Sequence, residues 1–404
     1  MPINNLVILT HVVHDAVING FIPAAVRLGC KVIILTDHAQ EHRECLGRMN
    51  GSTLPQSLSE SVIECDVFNS FSVLETLARE RIQPDAVFSN SDHLQTQASL
   101  VAQYFSLPSK DWLTCYRAKN KAAMRERLQQ HHLPSAWHHG LSNPADLDRL
   151  DLDFPCVVKP QEGVASMDVK LCANIGELRD FCMAFWQQRP ARGLIVEQYL
   201  EGPLFSVETL GDSNRLAVVG GYETTLSAPP YFIETECVWN SDVDSDHVRQ
   251  AVQQIKAFGI GFGACHSEFV LTEHGPRLVE INYRSIGDGC EFLLDRMAHF
   301  DWFESILCLY LGQPLADLEP VQGCALTRYI VATRSGVLHH VPDDFEQTSP
   351  IYVRLENLKS QGDDHRLAHS NKDYLAVLSA AADDKKTLLQ AVNALTDQLC
   401  WEIA

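Results

Sequence analysis

The chain has 404 residues, with 32 Lys and Arg against 52 Asp and Glu, for a formal charge of −20. Its 46% hydrophobic and 21% charged content is that of a globular chain rather than a disordered one, and its length points to roughly two or three domains. The acidic excess argues against nucleic acid or an anionic membrane surface as the main partner.

The chain begins Met1-Pro2-Ile3-Asn4-Asn5, without the basic segment and long apolar stretch of a signal peptide. No apolar run reaches the length of a membrane span. Leu6-Val7-Ile8-Leu9 predicts a short buried strand, followed by a helix over 16–28 that ends at Gly29. Lys31 to Leu35 predicts a second strand, closed by Thr36-Asp37. Asp85 to Phe88 predicts another, ending in polar Ser89 to Asp92 and followed by a helix over 94–104. Alternating apolar strands and helices imply a doubly wound parallel sheet, an α/β arrangement. Thr10, Asp37 and Asp92 then lie at strand ends, where such sheets bind ligands, although turn residues are also ordinary there.

The pattern breaks near Pro108. A helix over 117–130 is expected, then a polar connector over 141–151 and strands over 154–159, 168–172, 194–199, 205–211 and 216–222. An amphipathic helix over 245–258 places Val248, Val252 and Ile255 at helical spacing and stops at Gly259. The segment after Val321 mixes short strands with a last helix over 384–399. The thirteen Cys include no Cys-x-x-Cys pair, so free thiols in a reducing compartment, hence the cytoplasm, are expected. The His-His pairs at 131–132, 138–139 and 339–340 lack metal-ligand spacing and read as surface or packing residues.

The residues that carry chemistry begin with a hairpin over 265–282. Period two places His266, Glu268 and Val270 on one face of its first strand, and Leu278, Glu280 and Asn282 on one face of its second. Where those faces coincide, two carboxylates and an amide oxygen converge, and a hard cation such as magnesium would relieve their repulsion. The same pattern also describes a half-exposed hairpin with polar residues in water, and the hairpin alone does not choose between them. A second feature is Lys159, ending the apolar run Phe154 to Val158 ahead of the small-residue loop 163–166; such a loop can lay backbone N–H groups over phosphates. A third is Leu194 to Leu200, a strand entering an extended segment that can face an adenine edge. Gly259-Ile260-Gly261-Phe262-Gly263-Ala264 matches a dinucleotide fingerprint in letters, but it follows a helix and precedes a strand, so it reads as a helix-terminating turn.

Taken in order, these motifs resemble the ATP-grasp superfamily over roughly residues 5–290, and within it the carboxylate–amine (L-amino acid) ligase group. Asn120-Lys121-Ala122-Ala123-Met124-Arg125 is similar to its Asn/Asp-Lys-x-x-Met-Arg helix, and Phe154 to Pro160 to its FPxVVKP strand. The resemblance implies an ATP-grasp fold with a Rossmann-like domain over 1–116, a nucleotide lid over 117–203, and a catalytic domain with its C-terminal extension over 204–404. It implies ATP contacts from Lys121, Lys159, Ser166, Leu278 and the hinge Glu197, Gln198, Tyr199, Leu200 and Glu201. It implies magnesium, or alternatively manganese, on Glu268, Glu280 and Asn282. It implies catalytic roles for Arg284 and Lys159 and places Glu208, His266, Gly287 and Gly289 on the substrate side, a purely structural role for His266 being equally open.

Two departures stand out. The loop 163–166 has less glycine than in relatives, and Leu204 stands where an acid often holds ribose, so that either Glu201 substitutes or the ribose contact is weaker. The implied activity is ATP-dependent joining of a small-molecule carboxylate to an amine through an acyl phosphate, with homodimers common among relatives. The alternatives are a carboxylase or purine-pathway type acting on bicarbonate or formate, and a nucleotide-binding protein without catalysis.

Overall fold

The computed structural model describes residues 4–49, 56–319 and 321–404; residues 1–3, part of the N-terminal segment read for targeting, lie outside these. Strands β1 (Asn5–Leu9), β2 (Lys31–Thr36), β3 (Val62–Glu64) and β4 (Ala86–Phe88) form a parallel sheet in the order β3-β2-β1-β4. Leu6 and Ile8 enter one core cluster while Val7 and Leu9 enter another, so both faces of β1 are buried, as its unbroken apolar run requires. The helix expected over 16–28 is a π-helical turn, Ala16–Phe21, running into the α-helix Ile22–Arg27.

A second, antiparallel sheet takes β5 (His138–Leu141), β6 (Cys156–Pro160), β7 (Lys170–Cys172) and β8 (Leu194–Gln198) in the order β5-β8-β6-β7. The helix Ile175–Gln188 covers it with Leu178, Cys182, Phe185 and Trp186. The remaining strands are β9 (Leu204–Asp212), β10 (Leu216–Leu226), β11 (Glu234–Asn240), β12 (Phe262–Thr272), β13 (Gly275–Asn282), β14 (Cys324–Val331), β15 (Gly336–His340), β16 (Phe345–Gln347), β17 (Tyr352–Asn357), β18 (Asp364–His365), β19 (Tyr374–Ala382) and β20 (Glu402–Ile403). Nine of them build one antiparallel sheet in the order β13-β12-β9-β10-β11-β14-β19-β17-β16, and β18-β15-β20 form a small one.

The helix expected over 117–130 is two helices, Trp112–Lys119 and Lys121–Gln130. Asn120 separates them with extended dihedrals and caps the second, its side chain accepting from the Ala123 N–H at 3.0 Å. The last helix, expected to reach residue 399, is Lys385–Thr396. The helix Asp246–Phe258 ends at left-handed Gly259, as its sequence predicts. Gly263, which begins no helix, lies inside β12 at φ +70, where a Cβ would sit 2.9 Å from Lys110 Cε.

Helices Cys290–Met297 and Trp302–Tyr310 join the parallel sheet to the nine-stranded one. Phe303 and Tyr310 share a core cluster with Phe21 and Phe88, their rings 5.0–5.1 Å apart edge to face. This core sets the β4 end beside the β13 end, where the Ser285 N–H donates to Asn90 Oδ1 at 3.3 Å. The three strand-end residues are held locally: Thr10 donates to the Val12 carbonyl, Asp37 pairs with His11 at 2.8 Å, and Asp92 pairs with Lys119. Among the described residues no helix is long and apolar enough to cross a membrane.

Candidate functional site

The hairpin β12–β13 pairs Glu268 with Glu280 and His266 with Asn282, so these four side chains share one face. Its neighbour β9 pairs Glu208 with His266 and Ser206 with Glu268, extending the polar row across three strands. The coincidence of faces expected for the triad Glu268, Glu280 and Asn282 is therefore present. A bulge after Glu268 changes the next position. Phe269 pairs with Leu278, which puts Leu278 on the opposite face from Glu280. Leu278 is fully buried in the core with Phe269 and Ile281, and Val279 lines the cleft in its place. The expected ATP contact from the Leu278 side chain is corrected accordingly.

Two lysines reach this face from separate elements. Lys121, in the first turn after Asn120, places Nζ 2.8 Å from Glu280 Oε1 and donates to the Gly163 carbonyl at 3.3 Å. Burial alone would lower the Lys121 pKa, but Glu280 outweighs it and raises it. The Glu280 carboxyl is held down against its own burial by Lys121 and Lys159. Lys159, near the end of β6, pairs with Glu197. Burial lowers its pKa more than Glu197 raises it.

Glu197 is not a bare hinge residue. It is 4% exposed and also accepts from Arg125 Nε at 2.9 Å. Burial pushes its carboxyl up, yet Arg125 and Lys159 outweigh this and hold it at about 2. Arg125 closes the Asn-Lys-x-x-Met-Arg motif, a position to which the sequence alone assigns no role. Its guanidinium spans Glu197 and the Val279 carbonyl, tying the second sheet to the hairpin.

Gln198, the last residue of β8, and the following Tyr199 and Leu200 line the cleft, as does Ser166. Ala165 and Ser166 have φ of +56° and +52°, so the loop adopts left-handed conformations at two positions that are not glycine. The Ala165 carbonyl accepts from the Asn371 N–H at 3.1 Å, which anchors the loop to the C-terminal region. Leu204 lines the cleft, whereas Glu201, between the lining residues Leu200 and Gly202, is exposed.

A second chamber continues from the first. It shares Ser166, Leu204, Glu234, Glu268 and Glu280 with the cleft, and adds His266, Asn282, Arg284 and Gly287. Gly289 lies just beyond, as the left-handed cap of the helix Cys290–Met297. Glu208 is 1% exposed and lies behind His266 rather than in the lining, its Oε1 2.6 Å from His266 Nδ1 and 2.8 Å from Ser206 Oγ. These contacts place it to orient the imidazole. Burial lowers the His266 pKa, but Glu208 and Glu268 raise it to about 10, so the ring is an imidazolium at neutral pH. Glu234, at the start of β11, carries no sequence signal yet faces both chambers. Burial and the nearby Glu268 push its carboxyl up to about 8, while Asn371 donates to it at 3.2 Å.

The donor set fits magnesium. Glu268 and Glu280 face each other, and Asn282 donates from Nδ2 to Glu268 at 3.2 Å, which leaves its amide oxygen for an ion. These are hard oxygen donors, few enough to leave positions for phosphate oxygens.

Residues 152–292 match the family model of the ATP-grasp domain. The chain is 26% identical over 277 residues to an uncharacterized protein of Sinorhizobium fredii, covering 66% of this chain and 56% of that one. It is 27% identical over 240 residues to carnosine synthase 1 of Gallus gallus, covering 53% of this chain and 26% of that one. The chain thus spans only part of the length of these relatives. Among solved structures, the L-amino acid ligase from Bacillus licheniformis superposes with a TM-score of 0.80 at 20% identity, covering 99% of both chains. Phosphoribosylglycinamide synthetase from Anaerococcus prevotii gives 0.71 at 15% identity, covering 99% and 100%. The chain has the ATP-grasp fold and carries an ATP-grasp domain over residues 152–292, which bears out the superfamily resemblance of its motifs.

Proposed function

We propose that the chain is an ATP-dependent ligase that joins a small-molecule carboxylate to an amine through an acyl phosphate, releasing ADP and phosphate. The observation that carries this reading is the meeting of two chambers at Glu268 and Glu280. One is lined by Lys121, Lys159 and the Gln198–Leu200 segment, the other by Arg284 and His266. A nucleotide in the first would present its terminal phosphate at the junction, where a carboxylate in the second can reach it.

In this account the base stacks beside Tyr199, and Lys121 and Lys159 bind phosphate oxygens. A magnesium ion held by Glu268, Glu280 and Asn282 would supply further charge neutralisation. A substrate carboxylate oxygen attacks the terminal phosphorus as the bond to ADP breaks. The amine then attacks the acyl carbon, the C–O bond to phosphate breaks, and the amine proton passes to solvent. Phosphoryl transfer of this kind rests on positioning and charge, so no protein nucleophile is needed. Arg284 and the His266 imidazolium are placed to bind the negative oxygens of the acyl phosphate and of the tetrahedral adduct. The sheet β5–β8, within 117–203, serves as the lid that keeps water from the acyl phosphate.

The test is a screen of carboxylic acids with amines, or with hydroxylamine as the amine, following ADP release. The reading expects ADP only when acid and amine are both present. Bicarbonate-dependent turnover without an organic acid, or wild-type ADP formation by Glu280→Ala, contradicts it.

A further inference from the structure

Beyond the Arg284 chamber lies a third cavity, between the helix Cys290–Met297, strands β14, β17 and β19, and the loop carrying His14 and Asp15. Asp288 and Tyr329 form the wall common to the two. Two residues of this cavity hold buried polar atoms that have no hydrogen-bond partner: Oε2 of Glu291, a residue 1% exposed, and the hydroxyl of Tyr374, 6% exposed. Buried polar groups in a folded chain are nearly always satisfied, so two unsatisfied ones lining the same space leave hydrogen-bonding capacity there for a bound molecule.

The chemistry of the walls says what kind. Asp15, Asp288, Glu291 and Glu356 contribute four carboxylates. Among the described residues Arg354 is the one arginine of the lining, and it is already paired with Glu356 at 2.7 Å. Among the described residues, Asp15, Asp288 and Glu291 form no ion pair. Burial and the charge of Arg284 hold the His14 imidazole below its ordinary pKa, against the opposing pull of Asp288 and Asp15. Burial pushes the Glu291 carboxyl up to about 8, a state that a neighbouring positive charge would reverse. Aromatic faces complete the cavity: Tyr329 and Tyr374 stack with ring centroids 4.4 Å apart, and Tyr352 already carries the Arg296 guanidinium 3.7 Å over its ring. Carboxylates beside tyrosine faces suit an organic cation.

We infer that this cavity is the subsite for a cationic group (ammonium, guanidinium or imidazolium) on a substrate whose reacting end lies at Arg284. The inference rests on the proposed ligase reading, since it is that reading which puts a reacting group at Arg284. Asp288 stands between the reacting end and the cation, so it helps set which length of substrate is accepted.

The experiment is calorimetric binding to the full chain, with a non-hydrolysable ATP analogue and magnesium present. The probes are three matched pairs: L-arginine with L-citrulline, L-lysine with L-norleucine, and L-histidine with thienylalanine. At least one cationic member should bind about tenfold more tightly than its neutral partner, as expected for a charged partner to a buried carboxyl. In Glu291→Gln that preference should fall to within about twofold, with nucleotide affinity unchanged. Asp288→Asn serves in the same way if the first variant does not fold. No cationic preference in any pair, which is the result for a cavity holding only water, overturns the inference, as does a preference that survives both substitutions. ADP release is followed in parallel: selective cation binding without ADP release from any acid and amine overturns the ligase reading while the cation subsite stands.

Discussion

Lys121 Nζ lies 2.8 Å from Glu280 Oε1, so the lysine expected to bind phosphate and a carboxylate expected to bind metal neutralise each other. Both come from elements far apart in sequence, the Asn120-capped helix and the hairpin. Breaking a buried pair from one side strands a charge, at a cost of several kcal/mol when fully enclosed. Glu280 retains some solvent contact, with a side chain 24% exposed, so a smaller penalty applies. Lys121→Met should therefore destabilise the chain by about 2 kcal/mol. Lys121→Met with Glu280→Gln should recover much of that melting temperature yet remain inactive. Recovery of activity in the double variant would remove both residues from the reaction.

Glu197, between Lys159 and Arg125, makes a pH prediction. Its folded pKa of about 2 lies below the ordinary value of 4.5, so the folded state binds fewer protons than the unfolded one in between. Its contribution is fully present above pH 4.5 and is lost as the pH falls toward 2. Glu197→Gln should cost about 3 kcal/mol at neutral pH. The gap between wild type and variant in acid-unfolding curves should narrow across that window. A constant gap would mean that the group is not held in its charged form.

The bulge in the hairpin separates two adjacent residues by function. Leu278→Ala removes a fully buried side chain and should cost about 3 kcal/mol, leaving the KM for ATP of the folded enzyme near wild type. Val279→Ala should leave stability almost unchanged and raise that KM. The opposite pattern would restore Leu278 to the nucleotide side.

Period-two counting finds the shared face of Glu268, Glu280 and Asn282, because register between adjacent strands follows a short turn. It cannot find the bulge after Glu268, which shifts the pairing by one residue, and so it misplaces Leu278. The parallel sheet is legible from its unbroken apolar strands, whereas β5, with the sequence His-His-Gly-Leu, has no pattern to read. The expected helix over 117–130 divides because Asn120 caps better than it continues a helix, a preference visible in the residue itself. Glu234 and Glu291 owe their perturbed carboxyls to burial by distant elements, and nothing local announces them. Lys159 has a local signal in the strand and loop around it, whereas Lys121 and Arg284 are legible only through motif order, since each alone is an ordinary basic residue.

The loop 163–168 tests whether left-handed backbone matters to nucleotide binding. Ala165 and Ser166 hold positive φ at a cost of about 1–2 kcal/mol each for an L-residue. Ala165→Gly should relieve part of that cost and leave ATP affinity within about twofold, whereas Ala165→Val should weaken it about tenfold, because a β-branched residue resists the left-handed region. Equal affinities for the two variants in a fluorescent-nucleotide titration would show that the loop does not reach the phosphates.

The acyl phosphate is the centre of the proposed function, and isotope transfer tests it most directly. Once an acid that supports ADP release is found, its carboxylate is labelled with oxygen-18 and the released phosphate is read by phosphorus NMR. The account predicts one labelled oxygen in each phosphate, in step with amide formation. Amide formed with unlabelled phosphate would contradict it.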